Sequence, residues 1–151
     1  MPEQPRDREF LAIALAEARK GLAAGGIPIG ACLVADGVVL GAGHNRREQD
    51  GDPILHGEMH ALQQAGRQPA SVYRRATMFT TLSPCAMCSG AILLYGIPRV
   101  VLAENVTFRG EEDLLRARGV EVIDLGLPEA IALMREFQRL RPELWNEDIG
   151  R

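Results

Sequence analysis

The 151-residue chain predicts a three-layer α/β/α sandwich, a mixed sheet of about five strands between two layers of helices, as a single domain over residues 1–151. Three observations lead there. An amphipathic stretch opens the chain, a two-residue turn signal then joins two apolar β-type runs, and strand-like and helix-like segments alternate from there on. The length suits one hydrophobic core that buries roughly 70% of the unfolded chain's surface.

In residues 7–24 Phe10, Leu11, Ala14, Leu15, Ala18 and Leu22 recur at steps of three and four. That period gives a helix with one apolar face, and Gly25-Gly26 stops it. "IGACLVA" (29–35) reads as a buried strand. Asp36-Gly37 is a hairpin signal, so "VVLGAGHN" (38–45) returns as its antiparallel neighbour. Three further strands are expected at "TMFTTL" (77–82), "RVVLAEN" (99–105) and "VEVIDL" (120–125). Helices are expected at 57–65, 85–95, 111–118 and 128–140, which makes the second half mainly parallel.

Composition limits the function. Hydrophobic residues at 46% and charged residues at 25% place the chain among globular proteins rather than disordered or fibrous ones. A net charge of -3 argues against a surface built to hold a nucleic-acid backbone. The polar start "MPEQPRDREF" has no signal-type apolar run, and nothing approaches the roughly 18 apolar residues of a membrane span. A cytoplasmic protein is the expectation. Cys32, Cys85 and Cys88 are too few and too unevenly spaced for a disulfide framework, which leaves metal or redox use.

Two helix openings carry the chemistry. His56-Gly57-Glu58 begins one. In "SPCAMCSG" Ser83 is the expected N-cap and Pro84 the first helical residue. Cys85 and Cys88, three apart, share a face of one turn, where free N–H groups and the helix dipole favour thiolates. His56 with the two cysteines gives one nitrogen and two sulfurs, which leaves a tetrahedral zinc ion with an open position, as in catalytic rather than structural sites. Glu58 beside it suits a proton carrier.

His56-Gly57-Glu58 followed by Pro84-Cys85-Ala86-Met87-Cys88 fits the H-x-E…P-C-x-x-C signature, and the chain resembles the zinc-dependent nucleobase and nucleoside deaminases. "GGIPIGACLV", "GHNRR", "LHGE", "TTLSPCAMCSGAILLYGIPRVV", "ENVTF" and "RPELWNEDIG" extend the resemblance to the fungal type of cytosine deaminase over nearly the whole chain. The resemblance implies one catalytic zinc ion on His56, Cys85 and Cys88, with Glu58 shuttling protons. It also implies a base pocket in which Asn45 bonds the pyrimidine edge, the Gly57 N–H adds a donor, Phe108 and Trp145 form aromatic walls, and Asp148 accepts from the exocyclic amine. The implied reaction is cytosine to uracil plus ammonia, in a homodimer with the apolar "AILLYGI" helix as a contact.

Other readings stand beside this one. Cys-x-x-Cys alone also fits a redox motif. A structural zinc wants a fourth ligand, and Cys32 inside an apolar strand reads as plain core. The substrate could be isocytosine or guanine, because pocket residues rather than zinc choose it. An RNA-acting adenosine deaminase and a non-catalytic zinc-binding interaction protein are the remaining alternatives. His60 lies four residues after His56, as in zinc proteases, but Glu58 sits off the face they share. His60 therefore reads as a helix-face or subunit-contact residue rather than a ligand. His44 is open between a supporting role behind the site and a strand end.

Overall fold

The computed structural model describes residues 3–151. Helix α1 (Asp7–Ala23) is followed by the hairpin of β1 (Gly30–Ala35) and β2 (Val38–His44). The Asp36-Gly37 turn takes positive φ at both residues (53° and 75°), the conformation that suits a two-residue hairpin. Next come a single turn α2 (Arg47–Asp50), helix α3 (Gly57–Ala65), a single turn α4 (Ala70–Tyr73) and strand β3 (Ala76–Thr80). Helix α5 (Ala86–Tyr95), strand β4 (Arg99–Leu102), helix α6 (Glu112–Ala117), strand β5 (Glu121–Asp124) and helices α7 (Pro128–Leu140) and α8 (Pro142–Asp148) complete the order.

The five strands form one sheet in the order β2-β1-β3-β4-β5. β1 is antiparallel to both neighbours, whereas β3, β4 and β5 are parallel. The mixed sheet and its parallel second half are as the alternation predicts. Side-chain alternation builds both outer layers. Ala31, Leu33, Met78, Val100, Leu102 and Val122 face Ala61 of α3, Ile92 of α5 and Leu115 of α6. Cys32, Val34, Phe79, Val101 and Ile123 face Phe10, Leu11 and Ala14 of α1 and Ala130 of α7. Cys32 is core as expected: its Sγ contacts the Phe10 carbonyl, and burial pushes its thiol up to about 12.

Three elements differ from expectation. Single turns α2 and α4 and helix α8 carry no period that a short window can register; α8 has only seven residues, with Pro142 at its start. No helix among the described residues is long and apolar enough to cross a membrane.

The register puts Gly30, His44, Thr80 and Leu102 at one end of the sheet. The segments after β2, β3 and β4 all leave from that end, and α3 and α5 begin there. A third apolar cluster closes it, made of Ile27, Ile29, Leu82, Met134, Phe137, Leu144 and Trp145, with Phe108 and Ile149 packed against them.

Candidate active site

His56 and Cys85 occupy equivalent places. Each is the N-cap of its helix and each is extended, with φ and ψ of -67° and 166° at His56 and -69° and 178° at Cys85. This corrects the sequence reading of Ser83 as N-cap and Pro84 as first helical residue, since α5 begins at Ala86. The Ser83 hydroxyl instead donates to Glu112 Oε2 at 2.6 Å and accepts from the Gly110 N–H at 2.9 Å. Each helix opening is seated by a tight backbone contact. A Cβ on Gly57 would meet the Ile29 carbonyl oxygen at 3.0 Å, and one on Gly110 would meet the Pro84 carbonyl oxygen at 1.9 Å. A larger residue at 110 would displace the segment that carries Cys85.

One nitrogen of His56 and the Sγ atoms of Cys85 and Cys88 lie within 4.8 Å of one another. His56 Nδ1 is 3.5 Å from Cys85 Sγ, and on the other side of the ring Nε2 is 3.3 Å from Asp148 Oδ1. A proton on Nε2 therefore engages the carboxyl and leaves the Nδ1 lone pair on the cysteine side, the orientation that a zinc-ligating histidine needs. This donor set, borderline-soft and three in number, fits zinc with a position left for water.

The site's charges act on one another. Cys85 is lowered to about 4, first by the Cys88 thiol hydrogen bond, then against burial by His56. Cys88 is raised well above the usual thiol value by its bond to Cys85 and by burial. Burial works to lower His56, but the Cys85 bond and the nearby Asp148, Cys85 and Glu58 charges outweigh it and raise His56 to about 9. Glu58 is buried, and burial first, then repulsion from Cys85, pushes its carboxyl up to about 7. A carboxyl poised near neutrality can both accept and return a proton. Burial also raises Asp148, with His56 and the Asn45 hydrogen bond opposing it.

A narrow cavity of about 20 Å³, roughly the room of one water, is lined by His56, Glu58, Ser83, Cys85, Phe108, Trp145 and Asp148, with Ile29, Leu82 and Ile149 closing it. Phe108 and Trp145 meet edge to face with ring centroids 5.7 Å apart. Seven of the nine sequence-predicted site residues thus come together, six of them on the cavity wall and Cys88 just behind it. Asn45 and Gly57 stand behind the wall. The Asn45 carboxamide donates to Asp148 Oδ1 at 2.9 Å and accepts from the Arg47 N–H at 3.0 Å. Gly57 is the first residue of α3, buried under the Ile29 carbonyl.

His60 belongs to the fold. Its Nδ1 accepts the His44 N–H at 3.0 Å, its Nε2 is 3.3 Å from Gln64, and its ring meets His44 edge to face, so α3 is fastened to β2. His44 is thereby a buried strand-end residue. The sequence reading missed Ser83, Glu104 and Glu112 as partners of the site. Glu104 is fully buried and accepts from the N–H groups of Val106 and Thr107 at 2.7 and 3.0 Å, shaping the turn before Phe108. No period or motif in "ENVTFRGEE" marks its acidic residues as buried.

Comparison with known proteins agrees with this geometry. The family described as the cytidine and deoxycytidylate deaminase zinc-binding region matches residues 4–104. A cytosine deaminase of Candida albicans is 54% identical over 145 residues, 95% of this chain and 97% of that protein. A tRNA-specific adenosine deaminase of Streptococcus pyogenes is 44% identical over 108 residues, 70% of this chain and 67% of that one. Among solved structures, a guanine deaminase from Nitrosomonas europaea superposes with a TM-score of 0.72 at 25% identity, covering 92% of this chain and 87% of its own.

Proposed function

The chain belongs to the zinc-binding cytidine and deoxycytidylate deaminase family, and from that membership we propose that it hydrolyses the exocyclic C–N bond of a free nucleobase, converting cytosine to uracil and ammonia. The observation that carries the reading is the buried Glu58 carboxyl beside the His56, Cys85 and Cys88 donors in a cavity walled by two aromatic rings.

Zinc held by His56, Cys85 and Cys88 supplies the Lewis acidity that makes water a nucleophile near neutral pH. Glu58 takes one proton of the attacking water and gives it to ring N3, then takes the remaining proton from the hydroxyl now on C4 and gives it to the amine, so that the C–N bond breaks, ammonia leaves and C4 keeps the carbonyl oxygen. Phe108 and Trp145 hold the ring faces and exclude water. Asp148 keeps the His56 ring in place and offers its second oxygen to the exocyclic amine. Asn45 orients Asp148 from behind and reaches the ring edge when a base draws Asp148 toward itself. Because the cavity is narrow, a base enters when the α8 wall bearing Trp145 moves outward.

A tRNA substrate fits less well: α8 covers the cavity, and Arg46, Arg47 and Arg141 at this end of the fold each face an acidic partner. The reading extends to a cytoplasmic homodimer in pyrimidine salvage. Its contact would lie on the α3–α5 side, where Leu94 and Tyr95 are exposed beside a groove lined by Met59, Leu62 and Tyr73.

The test is ammonia release by the zinc-loaded protein from cytosine, isocytosine, guanine, adenine and their nucleosides. Turnover of cytosine above the others is expected. Turnover of guanine or of a nucleoside in its place would overturn the substrate.

A further inference from the structure

We propose that Glu112 is a positioning residue of this site, which acts through Ser83 to hold the Phe108 wall in register with the segment that presents Cys85. The kinetic part of this inference rests on the deamination reading; the structural part does not.

Glu112 opens α6 and is almost completely buried. Oε2 accepts from the Ser83 hydroxyl at 2.6 Å, and Oε1 accepts from Asn105 Nδ2 at 3.2 Å and lies 3.6 Å from Arg116. Neither oxygen reaches the cavity, but Ser83 lines it. A hydroxyl has a single proton. Because Glu112 takes that proton, a lone pair of Ser83 Oγ is turned toward the Gly110 N–H, which donates to it at 2.9 Å.

Two backbone bonds run beside this relay. Ser83 N–H donates to the Glu104 carbonyl at 3.1 Å, and Glu111 N–H donates to the Pro84 carbonyl at 3.0 Å. Residues 83–85 and 104–112 are thus fastened along their length, with Phe108 inside the fastened loop and Cys85 at the end of the partner segment. The missing side chain of Gly110 lets the two backbones touch. The Glu112 side chain grips both: Asn105 at the start of the loop and Ser83 on the opposite segment. Removing it frees the Ser83 hydroxyl to rotate, and the Phe108 ring loses its fixed distance from Trp145.

The experiment compares Glu112→Ala, Glu112→Gln, Ser83→Ala and the double variant Glu112→Ala/Ser83→Ala, all zinc-loaded, by zinc content, cytosine kinetics and the emission of Trp145, the sole tryptophan. Emission is read without any base, so it is independent of activity. In Glu112→Ala, zinc content stays at the wild-type level, Trp145 emission shifts to the red, and KM rises roughly tenfold with kcat within about twofold, the pattern of lost uniform binding. Glu112→Gln keeps an acceptor for Ser83 and restores both readouts. Ser83→Ala matches Glu112→Ala, and the double variant is no worse than either single one, as members of one relay require.

Wild-type emission and KM in Glu112→Ala, with only a lower melting temperature, would overturn the proposal, as would a fall in kcat at unchanged KM. Should Glu112→Ala fail to fold, Ser83→Ala, which deletes only the relaying hydroxyl, decides on the same readouts. If the wild type releases no ammonia from cytosine, the deamination reading fails, and the Trp145 emission of the variants still decides the positioning role.

Discussion

Asp7 and Glu58 are both buried carboxyl groups in the first turn of a helix, at opposite ends of the sheet, and they titrate in opposite directions. At Asp7 burial works upward, but the Arg99 hydrogen bonds at 2.8 and 2.7 Å, the Gln4 N–H and the Arg99 charge outweigh it and lower the group. Glu58 has no guanidinium. Burial raises it, and the Cys85 thiolate and the carboxyl of Asp148 add to that against the pull of His56, so it stands at about 7. Burial and helix end are shared, so the partner decides. At the far end the charge is fixed and ties α1 to β4; at the site end it is left movable, as proton transfer requires.

The largest effect should come from breaking the movable member. Glu58→Gln keeps shape and burial but cannot carry a proton, so kcat for ammonia release should fall by roughly 10²- to 10⁴-fold with zinc content unchanged. Full turnover in that variant would remove Glu58 from the mechanism.

Breaking the fixed member should cost stability instead. Asp7→Ala leaves the Arg99 guanidinium buried without its main partner, which costs on the order of 3–5 kcal/mol in urea unfolding, while activity per folded, zinc-loaded molecule is retained. The sign with pH follows from the lowered value. Asp7 ionises more readily folded than unfolded, so its stabilisation is complete above the ordinary carboxylate range, about pH 4, and drains away as pH falls through the lower folded value. Asp7→Asn should flatten that acid limb. A limb of unchanged slope would assign acid unfolding to other groups.

The smallest effect belongs to His60. His60→Ala removes the acceptor of the His44 N–H, which is expected to cost about 1 kcal/mol and to leave zinc content intact. Cys85→Ser is the contrast and should abolish zinc retention. Zinc loss in His60→Ala would place that ring among the ligands.

What the sequence disclosed and what it hid divide along physical lines. The sheet was legible because "ACLVA" and "RVVL" are short apolar runs of the kind that strands buried on both faces carry, and the turn at Asp36-Gly37 fixes one register. The donor set was legible because metal chemistry restricts residue type and spacing. The reading of His60 drew on helix angle, which sets Glu58 off the face that His56 and His60 share, and on the resemblance, which gives His60 no role. Hidden were contacts that depend on tertiary approach: the Asn45–Asp148 bond joins residues 103 apart, and nothing local in "GHNRR" announces it. The N-cap at Cys85 was misplaced because Ser-Pro is a strong local signal, and here Ser83 is committed to Glu112 and Gly110 instead. Glu104 and Glu112 were hidden for the same reason.

The placement of His56 on one side of β3 and the two cysteines on the other couples the metal to the sheet. His56 begins α3, which precedes β3 with α4 between them, and Cys85 begins the helix that leaves β3. The three donors come together across a strand that pairs with both β1 and β4. An ion that binds this arrangement and not the open chain stabilises the assembled sheet by mass action, as a latch holds a closed door.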